Sequence, residues 1–385
     1  MRINLLSHTF YPALGPGGPI FSTYNAAKEL AKLGVDIFVS TTDCDSDKPL
    51  NVRTNQWVKM DDHFYVKYYK ETILGKFSSS QLLSLWKDVS ESDIVHIQGI
   101  FNLVTPIGLL YAKIFRKPVM LSPRGALGRW CLQHGNKLKK IWLFFLIKPF
   151  ARKIIWHVTS SQENEEIIEV FPNVNCAIIP NGINLGDLAE ESDLPYRRIL
   201  INKFSKIENI KKVIVSMGRL EKKKGFDILI NAFFKTLDKY PDCLLLIAGR
   251  DEGEMKNLLK LIKDLDIENN VVLVGQIDGE LKNTFFSGAD LFVLPSHNEN
   301  FGNVYAESLA AGTPIVASTN TPWREVETAG CGKWVPNTIE ETKNAMIQLL
   351  ENEIDDVRQI SKNYVKKFDW RNIAQEFKKT YEGMM

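Results

Sequence analysis

The sequence predicts an α/β protein made of two doubly wound domains. Three observations lead there: strand and helix patterns alternate along the chain, the alternation stops once in a polar stretch and then restarts, and the strand segments are unbroken apolar runs. Unbroken runs mark strands buried on both faces of a parallel sheet, whereas a half-exposed strand alternates. A chain of 385 residues, 44% apolar and 24% charged, also exceeds what one hydrophobic core usually organises.

The elements follow in order. "INLLSH" reads as the first strand, and "IFSTYNAAKELAKLG" as a helix that Gly34 ends. "DIFVSTT", "DIVHIQG" and "KPVMLSP" are further strands, which makes residues 1–185 one domain. After "CAIIPNGINLGDL" the chain turns polar and charged, so 186–212 reads as a linker. The pattern resumes over 213–365 with "KVIVSMGRL", the helix "GFDILINAFFKTLDKY", "CLLLIAGR", "NVVLVGQ", "DLFVLPS", the helix "NVYAESLAAG" and "PIVAS". Ligands of doubly wound sheets sit beyond the carboxyl ends of the strands, and in a two-domain version those ends would face each other across a cleft.

Composition narrows the function classes. The N-terminus shows no basic segment followed by a long apolar stretch, and the longest strongly apolar run, "IWLFFLI", is too short to span a bilayer. A soluble, cytoplasmic protein is expected. Five scattered cysteines without a C-x-x-C pair argue against a disulfide framework and a zinc site. The net charge of +2 conceals an asymmetry: 94–162 contains no Asp or Glu but eleven Lys and Arg residues. That is either the solvated side of several helices or a basic face that meets something anionic.

Two stretches carry candidate chemistry. In "MGRLEKKKGF", Arg219 follows a strand and Lys224 precedes Gly225 and a helix, an arrangement suited to gripping a diphosphate. The plainer reading is a solvated Lys-rich turn, which fits Lys222 and Lys223. In "LFVLPSHNENFGNVYAESLAAGTPIVAS", a strand ends at Ser296 and a helix begins near Asn303. The amides of Phe301, Gly302 and Asn303 then lie at a helix N-terminus, where anions bind, and Gly302 permits close approach. Glu307, one turn beyond Asn303, can accept hydrogen bonds from a diol, while Glu299 meets another part of the same polyhydroxyl ligand. The competing reading makes Glu299 a helix-stabilising acid and Glu307 a solvated one.

With "GRLEKKKG" followed by "HNENFGNVYAESLAAGTPIVA", whose Glu299 and Glu307 form an E-x7-E pair, the chain resembles the retaining glycosyltransferases of family 4, which have the GT-B fold. The likeness extends over "GPGGP", "DIVHIQG", "SPRGAL", "IPNGIN", "IAGRDEGE" and a closing "FDWRNIAQEFKK" helix. It implies a surface-polysaccharide type of enzyme whose C-terminal domain holds a nucleotide-sugar donor and whose N-terminal domain takes a glycan acceptor. The helix at about 366–385 would return to the first domain. Arg219 and Lys224 would hold the diphosphate, Glu299, Asn300 and the loop amides the sugar, and Glu307 the ribose hydroxyls; Arg250, Gln276 and Ile277 belong to loops that discriminate donors. His96 matches a position near the transferred sugar, although Gln98 stands where the family commonly has a second His; the alternative is a core histidine. Gly17 and Gly18 form a first turn that allows backbone approach, and Arg124 would bind acceptor or phosphate.

The residue types suit that reaction. A departing nucleoside diphosphate is negative, and with no D-x-D motif in a suitable loop, Arg219, Lys224 and helix amides would stabilise it without a metal or cofactor. The resemblance implies front-face attack by the acceptor hydroxyl, with Glu299 a sugar clamp more than a nucleophile. Other readings are a GT-B epimerase, a non-catalytic sugar-nucleotide binder, or a nicotinamide-dependent oxidoreductase. The last is weakened because "GPGGPI" lacks the third Gly of G-x-G-x-x-G and its prolines remove amides. Finally, "NKLKKIWLFFLIKPFARKIIW" sets Lys137, Lys139, Lys140, Lys148, Arg152 and Lys153 around Trp142, Phe144, Phe145, Phe150 and Trp156. That pattern predicts a lipid-linked acceptor and a peripheral position on an anionic membrane, with no nucleic-acid partner. The alternative is a helix whose apolar face packs on the first sheet.

Overall fold

The computed structural model describes every residue except 14, 16, 46–47, 71–77, 134–137, 186–193, 206, 208 and 352–353. The chain divides into two compact units, Met1–Gly182 with Phe368–Met385, and Ile183–Lys367.

The first unit contains β1 (Arg2–Ser7), β2 (Asp36–Thr42), a two-residue hairpin of β3 (Cys44–Asp45) and β4 (Lys48–Pro49), β5 (Trp57–Asp61), β6 (Phe64–Tyr69), β7 (Ile94–Gln98), β8 (Val119–Ser122), β9 (Ile155–Val158) and β10 (Asn175–Ile178). Eight of them form one sheet in the order β10-β9-β8-β7-β1-β2-β6-β5. Only the edge strand β5 runs antiparallel. The central strands β1 and β7 are buried almost end to end, as their unbroken apolar runs require.

The closing helix Trp370–Glu382 belongs to this unit. Its inward residues Trp370, Ile373, Phe377 and Tyr381 join Ile3, Leu30 and Phe64 in one core cluster. Burying side chains of that size stabilises by about 1.5–3 kcal/mol each, which holds the helix against the sheet. Gly182 makes room for it: a Cβ there would lie 2.3 Å from the Trp370 ring.

The second unit holds a fully parallel sheet of β11 (Lys212–Met217), β12 (Cys243–Ala248), β13 (Val271–Gly275), β14 (Leu291–Leu294), β15 (Ile315–Ser318) and β16 (Gly332–Val335), ordered β13-β12-β11-β14-β15-β16. The order reverses direction between β11 and β14, the position at which doubly wound sheets open a ligand crevice.

The expectation of a linker over 186–212 is corrected in part. Residues Leu194–Phe204 form a helix that belongs to the second unit. Leu200 is fully buried, and the Arg197 guanidinium donates to both oxygens of Asp290 at 2.8 Å. Asp290 also accepts the Val213 amide at 2.6 Å, so this pair ties the helix to the first strand of the sheet. The partner lies 93 positions away, which is why the local charge density looked like a linker.

Candidate active site

All the predicted donor residues lie in the second unit, on the segments that leave the carboxyl ends of its strands, with Asn303 and Glu307 on the helix Asn303–Ala310. Those loops are stitched to each other by backbone contacts. The Gly218 amide donates to Ala248 O at 3.0 Å, Leu220 to Arg250 O at 2.8 Å, and Gly249 to Gly275 O at 2.8 Å. Gly249 is required by this closeness, since its φ is +154° and a Cβ would fall 1.7 Å from Gly218 O. The exits of β11, β12 and β13 therefore form one rim carrying Arg219, Arg250, Gln276 and Ile277. On the other side of β11, the His297 amide donates to Lys223 O at 2.8 Å, which joins the Lys-rich turn to the loop after β14.

Within that frame Lys224 and Glu299 meet, 2.5 Å from Nζ to Oε1, with side chains only 14% and 10% exposed. The Lys224 stem runs over Gly218, 3.3 Å from where a Cβ would be. Ser296 Oγ donates to the same Glu299 oxygen at 3.0 Å. Burial alone would raise the Glu299 carboxyl, but the Lys224 and Lys223 charges and the two hydrogen bonds outweigh it and hold the group below its ordinary value. Glu299 is thus a fixed carboxylate. Lys224 has three ammonium donors, of which this pair uses one.

Gly302 precedes the helix Asn303–Ala310 in a left-handed conformation, φ 77° and ψ 72°. The loop before it is locked from below: Phe301 is buried, its ring centroid stands 5.2 Å from that of Trp323, and Phe301 O accepts Trp323 Nε1 at 2.6 Å. Asn300 and Asn303 flank that locked turn. Glu307 Oε1 accepts Lys282 Nζ at 2.7 Å, while Glu307 Oε2 is buried without a hydrogen-bond partner. An orphaned carboxylate oxygen on the helix beside the loop suits a ligand hydroxyl. Arg219 is half exposed and 2.9 Å from Glu221; Arg250 pairs with Glu252.

The first unit corrects the role expected of His96. This residue is 2% exposed, with Nε2 2.9 Å from Gln98 Nε2 and 2.8 Å from Ser122 Oγ, and Nδ1 2.7 Å from Tyr381 Oη. Arg124 Nε donates to Gln98 Oε1 at 2.8 Å, which turns the Gln98 amide nitrogen toward His96. Burial first, then the neighbouring His157 and Arg124, push the His96 pKa well below its ordinary value. It is a neutral core histidine with both nitrogens engaged, and His157, which the sequence did not single out, continues the same network through Ser122 Oγ at 2.6 Å.

Arg124 sits just past β8 at φ 58° and also donates to Asn181 Oδ1 at 3.1 Å and Thr23 Oγ1 at 3.3 Å. Burial lowers its pKa to about 10, which leaves it charged. Gly17, at φ 72°, caps the helix Gly18–Lys32 and has open space where a Cβ would be; Pro16 of that turn lies outside the described residues. In the basic segment Trp156 is core, donating from Nε1 to Ala151 O at 3.0 Å. Leu143 and Ile147 are buried, whereas Leu138, Ile141, Phe144 and Phe145 are exposed. The segment therefore packs one face on the sheet and presents another outward; Lys137 lies outside the described residues. No described helix is long and apolar enough to cross a membrane.

Two doubly wound α/β units, the second with a cation and a carboxylate paired on the loops beyond its strands, define a fold class whose ligands sit at the carboxyl ends of the strands. The profile of "Glycosyltransferase Family 4" matches residues 16–187 and that of "Glycosyl transferases group 1" matches 198–367. The chain belongs to the family 4 glycosyltransferases and has the GT-B fold. It is 30% identical to an uncharacterized glycosyltransferase of Methanocaldococcus jannaschii, over 59% of each chain. The match thus spans less than two thirds of that relative. Identity to the alpha-monoglucosyldiacylglycerol synthase of Streptococcus pneumoniae is 25%, covering 83% of this chain and 71% of that one. The crystal structure of Anabaena HepE in complex with UDP superposes with a TM-score of 0.78 over 100% of both chains, at 19% identity.

Proposed function

We propose that this enzyme transfers a sugar, with retention of anomeric configuration and without a metal ion, from a UDP-sugar to a lipid-linked glycan acceptor in cell-surface glycoconjugate synthesis. The observation that carries the reading is the buried Lys224–Glu299 pair at the foot of the locked turn. A carboxylate held ionised beside an ammonium with two donors to spare can clamp the sugar hydroxyls while the ammonium meets the diphosphate. Glu307 Oε2 supplies an acceptor for a ribose hydroxyl, and Arg219 supplies a second phosphate contact by turning from Glu221. The choice of UDP leans on the Anabaena complex, and the lipid acceptor on the name of the pneumococcal relative. The exposed aromatic and basic residues at 138–153 favour peripheral contact with an anionic membrane.

Calorimetric titration with UDP, in buffer containing EDTA, tests the donor site. Wild type should bind, and Arg219→Ala should bind about 1.5–3 kcal/mol more weakly, the usual size of a charge-assisted bond. Unchanged affinity in the variant, or binding that needs added Mg²⁺, contradicts the metal-free grip.

A further inference from the structure

The first unit contains a pocket that the sugar-transfer site does not use. It has a volume of about 630 Å³ and apolar walls from Leu132, Leu143, Phe144, Phe171 and Val174, a size ordinary for a small-molecule site, roughly 300–1,000 Å³. Its charged lining is entirely cationic, from Lys140, Lys148 and Arg152; among the described residues no carboxylate lines it. The inner wall is held by packing: Phe171 stacks on the fully buried Trp156 at 5.2 Å. Lys148 Nζ stands 4.6 Å over the Phe144 ring, setting a positive charge beside an apolar wall. Beside the pocket, Ile141 and Phe145 are 55% and 67% exposed. Apolar walls of this kind favour contact with hydrocarbon over water.

We propose that this pocket binds one hydrocarbon chain of a lipid phosphate, the chain against Leu143 and Phe171 and the phosphate on Lys140, Lys148 and Arg152. Charge complementarity selects the phosphate, since the three cations have no acidic competitor in the lining. The proposal rests on the membrane-facing reading above but makes a separate claim, that a chain leaves the bilayer and enters the protein.

Calorimetry on the intact chain tests it with dodecyl phosphate, at concentrations where that probe does not self-associate, against dodecyl maltoside and inorganic phosphate. Saturable one-to-one binding of dodecyl phosphate is expected, at least tenfold tighter than dodecyl maltoside, with inorganic phosphate much weaker than either. Val174→Trp, which puts a bulkier side chain in the pocket wall, should weaken binding at least tenfold, and so should Lys148→Glu with Arg152→Glu, whose sites are exposed and leave the core intact. Ile141→Ser with Phe145→Ser should reduce pelleting with anionic vesicles and leave dodecyl phosphate affinity unchanged. Absence of saturable binding, equal affinity for the maltoside, or wild-type affinity in the charge-reversed variant overturns the proposal. A protein that pellets with vesicles yet ignores dodecyl phosphate refutes the pocket and keeps the membrane reading; one that binds dodecyl phosphate but no vesicles supports the pocket and refutes the membrane reading.

Discussion

Replacing Lys224 by Met strands the Glu299 carboxylate, and the structure sets the size of the penalty. The two groups are 2.5 Å apart and nearly buried. Removing one partner of such a pair costs about 3–5 kcal/mol, because the remaining charge loses its compensation. Ser296 Oγ still donates to Glu299 and the Lys223 charge persists, so the loss falls at the lower end, about 3 kcal/mol. Adding Glu299→Gln removes the stranded charge and should recover about 1–2 kcal/mol of it. Urea denaturation read by tryptophan fluorescence measures both variants and Glu299→Gln alone, closing the cycle. The pH dependence has a defined sign. In the wild type the folded Glu299 pKa lies below its unfolded value of 4.5, so this group's contribution is present above that value and is lost as pH falls through the folded one. In Lys224→Met the carboxyl rises instead, so the deficit is full at neutral pH and shrinks as acid neutralises the group. Additive losses in the double variant, or a deficit that grows toward low pH, would refute the reasoning.

Gly302→Ala puts a side chain at φ 77° with its Cβ 2.7 Å from the Tyr305 ring; a loss of about 1–3 kcal/mol in stability is expected, together with weaker UDP binding, by urea denaturation and calorimetry. Burial, then the Glu163 charge, raises Glu166 to about 7. The folded state thus holds a proton that the unfolded chain has lost, and stability falls as pH rises from about 4.5 to about 7. Glu166→Gln should raise Tm at pH 8 and leave it unchanged at pH 4.

Much of the fold was readable because parallel strands announce themselves: "VIV", "CLLLIA" and "LFVL" are unbroken apolar runs, and each lies in β11, β12 or β14. Gly302 was readable for a related reason, since a glycine between a strand and a helix signals a special backbone conformation. What escaped the sequence are pairings set by tertiary distance. Glu299 and Lys224 are 75 positions apart and Glu307 and Lys282 are 25 apart, so each was visible as a charge and none as a pair. His96 misled because a strand-end position suits both a ligand contact and a core network. Tyr381, 285 positions away, decides it for the core.

The most direct test of sugar transfer is incubation of the purified enzyme with labelled UDP-sugars and a lipid extract in EDTA, with product separated from donor and its anomeric configuration determined. A labelled lipid product with the donor's configuration is expected, with turnover reduced by about 10²–10³ in Glu299→Gln, the loss of about 2.7–4 kcal/mol of transition-state stabilisation. Isomerised free sugar nucleotide, an inverted product, or turnover within about threefold of wild type in that variant would contradict it.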